Sequence, residues 1–503
     1  MKKSIFCLVL ALCLLPLVPA IAQGRPHINW YEVFVYSYAD SDGDGHGDLK
    51  GLMGRLDYIQ DLGFDGLWLM PVMPSPSYHK YDVSDYFDID PLYGSLQDMR
   101  DLVAACRARG IALIIDLVLN HTSTRHPWFV SALAALREGR LDEPHIAYYH
   151  FSRQPGGHFV PVAGTDWHYE EQFKGGGMPD LNLDNPDLRA QIKDILAFWL
   201  EDVGVDGFRL DAVTSYYTGE DARNIAFLRF LKDTAQQLKP GSFLVGECWK
   251  GLGAIADYYQ SGLDSFFLFP AAQAEGYVAA SMRARKPAAT YVQHLERVWR
   301  AIPEGILTPF LSNHDTGRVV GLVQGRQAVE RVKFAHGLLS LLGGYTFTYY
   351  GEEIGMAGAG ADPNKRLGML WGEGQPPTLA PPGVTGGDYP FPGAMEQLAD
   401  PASLLHYIRS LNHLRLELPI LALGQPGVAA FTDDTALLAR ELAGQQVYIA
   451  VNFSAREPRE VALPGPLRLL GALDAGFGLP AMPAGAAGPL RLPPYGIAVL
   501  GPP

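Results

Sequence analysis

The chain has 503 residues, 48% hydrophobic and 19% charged, which is ample material for a large core and excludes a disordered polymer. That length calls for more than one domain, or for one large barrel with additions. A formal net charge of −14 argues against nucleic acid or an anionic membrane as partner and is compatible with a neutral polymer.

Residues 1–22 read as a secretory signal. Lys2 and Lys3 precede an apolar run over 5–18, and Ala20, Ile21 and Ala22 supply a small-x-small cleavage pattern, so the mature chain is expected to begin near Gln23. An uncleaved anchor would need a longer apolar run. Cys13 lies inside the run, without the small-residue context of a lipid anchor. The protein is therefore expected in the periplasm or outside the cell, with no membrane association after cleavage. Loss of Lys2 and Lys3 takes the net charge from −14 to −16. Cys7 and Cys13 leave with the signal. Cys106 and Cys248 remain and read as two buried thiols, since two cysteines make no disulfide framework.

Apolar, β-branched or aromatic runs predict strands over 31–38, 66–71, 111–119, 207–213, 243–249, 265–269, 307–312 and 345–350. Amphipathic helices lie between several of them. One has Ser95 as N-cap, presents Met99, Leu102, Val103 and Cys106, and stops at Gly110. Others cover 187–203, ending at Gly204, and 330–342. Near-continuous apolar strands alternating with helices imply a parallel sheet buried on both faces. Eight of them imply an α/β fold, a (β/α)₈ TIM barrel spanning 23–120 and 186–417. The interval 121–185 is rich in Gly, Pro, His and aromatics and too long for a plain loop, so it reads as a subdomain inserted after the third strand. Over 418–503 Pro, Gly and Ala rise and short strand-like runs appear, which suggests a C-terminal antiparallel β domain.

The chemistry gathers at strand ends. The third predicted strand carries Asp116 and runs out through Asn120 and His121. The fourth ends through Arg209, Asp211, Ala212 and Val213, the fifth in Glu247, Cys248 and Trp249, and the seventh in Ser312, Asn313, His314 and Asp315. In such barrels the active site sits at the C-terminal ends of the strands. Buried charge is costly unless paired or used, so four strand ends with carboxylates are hard to read as core accidents. Arg209, two residues before Asp211, points to the same face. After the first strand, Asp40, Asp42, Asp44, His46 and Asp48 occupy alternate positions of a calcium-type loop, with Gly45 at its sixth position and a backbone carbonyl expected from His46. The loop lacks an acid at position 12, where Gly51 stands, so it is no helix–loop–helix sensor. The rival reading is a solvated acidic turn. Four unneutralised carboxylates would repel one another, which favours Ca²⁺.

These motifs, in this order, resemble the α-amylase family of glycoside hydrolases, and the resemblance extends from about Ile28 into the C-terminal domain. It implies a retaining hydrolase of α-1,4 bonds in starch and maltodextrins. In that reading Asp211 is the nucleophile, Glu247 the general acid/base and Asp315 the transition-state stabiliser. It also implies sugar contacts from Tyr81, as a stacking platform, and from His121, Arg209, His314 and Arg366. Similar acidic loops occur in some bacterial members, and a second calcium near Asn120 is usual in many; its ligand set cannot be completed from this sequence.

Three local features bear on specificity. The run from Met178 to Asn182 resembles the intermediate and neopullulanase-like groups. Tyr78 stands where exo-glucosidases carry Asp, and Ala212 where they carry Val or Thr. An open cleft on α-1,4 linkages is expected, with α-glucosidase, 4-α-glucanotransferase or cyclomaltodextrinase as the alternative. A non-catalytic transporter-accessory barrel would have broken motifs and a membrane span, and a glucan-binding surface protein would need a separate binding module. A monomer is expected, with an α-glucan or maltooligosaccharide as its partner.

Overall fold

The computed structural model describes residues 26–154, 156–322, 327–476, 478 and 488–503; the expected export signal lies outside them. Eight parallel strands carry the architecture: β1 (Asn29–Val33), β2 (Gly66–Leu69), β3 (Ala112–Leu117), β4 (Gly207–Leu210), β5 (Phe243–Gly246), β6 (Ser265–Phe267), β7 (Ile306–Thr308) and β8 (Thr346–Tyr349). Their order in the sheet is β7-β6-β5-β4-β3-β2-β1-β8. A parallel bridge between Phe310 and Phe347 and a bond from the Tyr345 N–H to the Leu307 carbonyl (2.8 Å) close the ring.

The pleat decides what fills it. Side chains alternate along a strand, so every second residue faces the barrel axis. Trp30, Trp68, Ile114, Val245, Phe267 and Phe347 form an apolar plug in the barrel. The Trp30 ring lies between Phe243 (5.1 Å) and Phe347 (5.4 Å, 2° between planes). Two residues further along their strands come Glu32 after Trp30, Asp116 after Ile114 and Glu247 after Val245. Register sets Asp116 beside Arg209. A polar layer thus sits one step above the apolar plug, toward the C-terminal mouth.

The strand limits are shorter than the apolar runs suggest. The first stops at Val33 and passes into a 3-10 turn over Val35–Ser37. There the carbonyls of Tyr36 and Ala39 accept from Gly47 and Asp48, which folds the acidic loop back on the chain. The seventh stops at Thr308, because Pro309 has no N–H for the ladder. The helix Leu96–Ala108 has Ser95 as N-cap, with a capping box to Asp98. The predicted helix over 187–203 is α-helical over Pro186–Ala197 and continues as a π-turn over Phe198–Val203 before left-handed Gly204.

Between β3 and the helix Pro186–Ala197 lie a helix, Pro127–Glu138, and a three-stranded antiparallel sheet of Phe151–Ser152, His168–Glu170 and Phe159–Pro161. After the helices Leu404–Glu417 and Ile420–Leu423, a five-stranded antiparallel sheet begins at Gln425. Phe453 from that sheet packs on Phe334 and Tyr291 of the barrel's helices, and Tyr495 stacks on Phe334 at 4.7 Å. Among the described residues no helix is long and apolar enough to cross a membrane. Cys106 and Cys248 are free and buried, as expected.

Candidate active site

The mouth of the barrel opens into a cavity of about 460 Å³, lined by Tyr81, His121, Asp211, Glu247, Asp315 and Arg366 among others. One guanidinium organises its floor. Arg209 is fully buried, and its Nη1 contacts Asp116 (2.8 Å) and Asp211 (2.6 Å), while its Nη2 lies 2.9 Å from Glu247. Asp211 and Glu247 are therefore close enough for one planar cation to span both.

Glu247 also accepts from the Ala212 N–H at 2.9 Å. Ala212 has φ +46°, a left-handed value uncommon for a residue with a Cβ. That turn aims the amide behind Asp211 at Glu247, so the backbone strain serves the site. Burial pushes the Glu247 carboxyl up to about 8; Arg209 pulls it back, and the neighbouring Asp211 and Asp315 add to the rise. At neutral pH Glu247 holds a proton. Burial likewise raises Asp116 to about 7, against the pull of Arg209.

Asp315 is built differently. Burial alone would raise it, but His314 (2.9 Å) and Arg366 (3.0 Å) outweigh this and hold it well below the usual carboxylate range. The Lys365 ammonium bonds its backbone carbonyl at 2.6 Å. The site therefore holds one protonated and one firmly ionised carboxyl group facing one cavity.

The sequence-named supports are all present, some with other partners than expected. Tyr81 stacks on His314 (5.4 Å, 20°) and lines the cavity. His314 bonds Tyr81 Oη (2.6 Å) and Asp315 through Nε2 and Glu32 through Nδ1 (2.6 Å), so both ring nitrogens serve the protein. His121 also lines the cavity, with Nε2 3.2 Å from the Tyr81 carbonyl and Nδ1 3.3 Å from the Asn120 amide. Arg366 is buried against Asp315. Three groups were missed: Glu32, Lys365 and the platform made by Trp249, which is 49% exposed and stacks on Phe269 at 4.7 Å. Glu32 had a signal, being the lone charge inside an apolar strand.

In the acidic loop, Asp40, Asp42 and Asp48 each present an oxygen within 4.8 Å of the others. Asp44 does not join them: its carboxylate accepts from the His46 N–H (2.7 Å) and faces the His46 ring. Asp48 is also the N-cap of the helix Leu49–Met53 and accepts from Ser41. Three carboxylate groups, that of Asp42 exposed, offer hard oxygens that fit a calcium ion better than any softer metal. Near Asn120 no second group of three or more acidic, His or Cys side chains gathers among the described residues; the Asn120 amide donates to Asp180 at 3.1 Å.

Carboxyl groups gathered at the C-terminal face of a TIM barrel, one pushed up by burial and one held low by cations, are the arrangement that glycoside hydrolysis uses. The family model "Alpha amylase, catalytic domain" matches residues 32–424. Alpha-amylase 3 of Dictyoglomus thermophilum is 38% identical over 68% of this chain and 67% of its own length. A glucan 1,6-alpha-glucosidase of Streptococcus dysgalactiae subsp. equisimilis is 34% identical over 65% of this chain and 64% of its own. Among solved structures, Eubacterium rectale Amy13B superposes with a TM-score of 0.89 at 37% identity, covering 95% of this chain and 96% of that one. The chain belongs to the α-amylase family of glycoside hydrolases, and it is an enzyme acting on α-glucans.

Proposed function

We propose that the protein is a retaining hydrolase of α-1,4-glucosidic bonds in starch and maltodextrins. Asp211 is the nucleophile, Glu247 the acid/base and Asp315 the transition-state stabiliser. The observation that carries this reading is the Arg209 guanidinium between Asp211 and Glu247. Retention requires carboxyl groups roughly 5–5.5 Å apart, and a single cation bridging both supports a short separation.

Asp211 attacks the anomeric carbon and displaces the glycosidic oxygen, which takes the Glu247 proton. The Glu247 carboxylate then removes a proton from water. That water opens the glycosyl ester, freeing Asp211 and restoring the acid. Asp315, pinned by His314 and Arg366, offers negative charge to the oxocarbenium-like sugar. Trp249 and Phe173, both partly exposed at the cavity, offer faces for sugar rings beyond the cut bond.

The identity with a glucan 1,6-alpha-glucosidase supports a second reading, exo-action on short oligosaccharides by an α-glucosidase or transferase. Maltoheptaose separates the two. Internal cuts from the first time point support the amylase, glucose alone the exo-enzyme, and products longer than the substrate a transferase. Asp211→Asn or Glu247→Gln should reduce turnover at least about 10⁴-fold with the fold intact. Near-normal starch hydrolysis by either variant would overturn the assignment.

Asp40, Asp42 and Asp48 are proposed to hold calcium, which would tie the loop after β1 to the helix Leu49–Met53. The protein is further proposed to be exported and monomeric.

A further inference from the structure

We propose that Glu32 is a positioning residue: its buried carboxylate holds the His314 ring doubly protonated, and that ring pins Asp315 toward the sugar. The proposal rests on Asp315 being a catalytic carboxylate.

The geometry joins strand β1 to the loops that follow β7 and β2. Glu32 lies on β1, 1% exposed, and His314 follows β7 with no exposure. Glu32 Oε1 lies 2.6 Å from His314 Nδ1 and accepts a longer bond (3.4 Å) from the His314 backbone N–H. On the other side of the ring, Nε2 faces two oxygens, Tyr81 Oη at 2.6 Å and Asp315 Oδ2 at 2.9 Å. The Tyr81 hydroxyl donates its proton to Asp116 at 3.1 Å, so toward His314 it offers a lone pair. Both ring nitrogens therefore meet acceptors, and a neutral imidazole could satisfy only one side. The imidazolium donates on both.

The charges around the ring are divided. Glu32 from β1, Asp116 from β3 and Asp315 from the ring's own loop favour the cation, whereas the guanidiniums of Arg209, from β4, and Arg366 oppose it; the Tyr81 hydroxyl comes from the loop after β2. Arg366, from the loop after β8, bonds the His314 carbonyl at 3.2 Å. Trp68 on β2 covers one side of the ring at 5.7 Å and carries no charge. Burial disfavours a charged His314, but Asp315 and Glu32 outweigh it and lift the ring to about 9. Without Glu32 the ring would titrate at a lower pH, and above it Asp315 would lose the cation on its Oδ2, keeping only Arg366 on Oδ1.

The sign follows. The imidazolium is the working form, and it is lost as pH rises. In the native enzyme that loss lies beyond the deprotonation of Glu247 near 8 and stays hidden. In Glu32→Gln, of nearly the same shape, His314 becomes the limiting group. Its alkaline limb should move down by a pH unit or more, which is about tenfold in kcat/KM at pH 8 relative to pH 5.5 for each unit. A structural role alone predicts a loss equal at both pH values, and that result would overturn the proposal, as would an unchanged profile.

The native enzyme gives a second test that needs no variant. With ¹⁵N-labelled histidine, the His314 ring should show two protonated nitrogens at pH 7.5. A neutral ring there overturns the proposal even if Glu32→Gln fails to fold. Asp315→Asn is the control: if it keeps near-normal turnover, the reading of Asp315 fails, whatever Glu32 does.

Discussion

Arg209 shows how much one side chain can settle. It contacts Asp116, Asp211 and Glu247 and is itself fully buried. Breaking a buried ion pair leaves uncompensated charge, so Arg209→Met should cost about 3–5 kcal/mol, measured by urea unfolding. Glu247 sets the pH dependence. It must carry its proton to serve as acid, and burial raises it to about 8. Activity should therefore fall as pH rises through about 8, and a kcat/KM profile on maltoheptaose checks this. A midpoint near an ordinary carboxylate value would show that Glu247 is not the acid. Asp211, Glu247, Asp315, Arg209 and His314 were legible in the sequence because each lies in or just beyond an apolar run that reads as a barrel strand, and their roles were what the resemblance to the α-amylase family implied. Glu32 and Lys365 were not assigned, since what they touch depends on which strands become neighbours. Strand β1 meets β8 only when the ring closes, and nothing local to Glu32 announces His314, 282 positions away.

At the scale of elements, strand existence was legible and strand limits were not. Apolarity marks what is buried, while hydrogen bonding decides where a ladder ends, as at Val33 and Pro309. Gly207 shows how tight the ladder is at the start of β4. Its φ is +154°, and an added Cβ would meet the Phe243 carbonyl at 1.8 Å. Gly207→Ala must push β4 away from β5, the strand leading to Glu247. The expected cost is on the order of 1–3 kcal/mol, with a larger relative loss of kcat than a surface control of equal stability. The acidic loop is a separate element with its own test. If Asp40, Asp42 and Asp48 hold calcium, chelation should lower the melting temperature and added Ca²⁺ restore it. The stabilisation would be about 2.7 kcal/mol at a hundredfold excess over Kd. Asp42→Asn should weaken that response, and a melting curve indifferent to both chelator and calcium would remove the ion from the loop.

At the scale of the molecule, the change of composition near 418 was read as the start of a separate domain. The structure gives that domain a shared core. Phe453, Ile497 and Val499 belong to one apolar cluster with Phe334, Leu338 and Tyr291 of the barrel's outer helices. Arg440, from the strand Thr435–Leu442, donates to the Leu341 carbonyl just before β8 and lies over the Trp299 ring at 5.1 Å. Arg415 bonds the carbonyls of Ser340, Ile28 and Gly344, tying the bottom of the barrel to the helix Leu404–Glu417. Domains joined by large apolar contacts unfold together, whereas those joined by thin polar ones do not. Calorimetry should therefore show one transition for barrel and C-terminal sheet. Phe453→Ala removes a ring that touches both Phe334 and Tyr291, and it should cost about 3–5 kcal/mol. The informative readout is activity on heating. With a shared core, Phe453→Ala lowers the temperature at which hydrolysis fails by as much as it lowers the melting point, although the residue does not line the cavity around Asp211. Two transitions, with hydrolysis surviving the first, would show instead that the barrel stands without its C-terminal sheet.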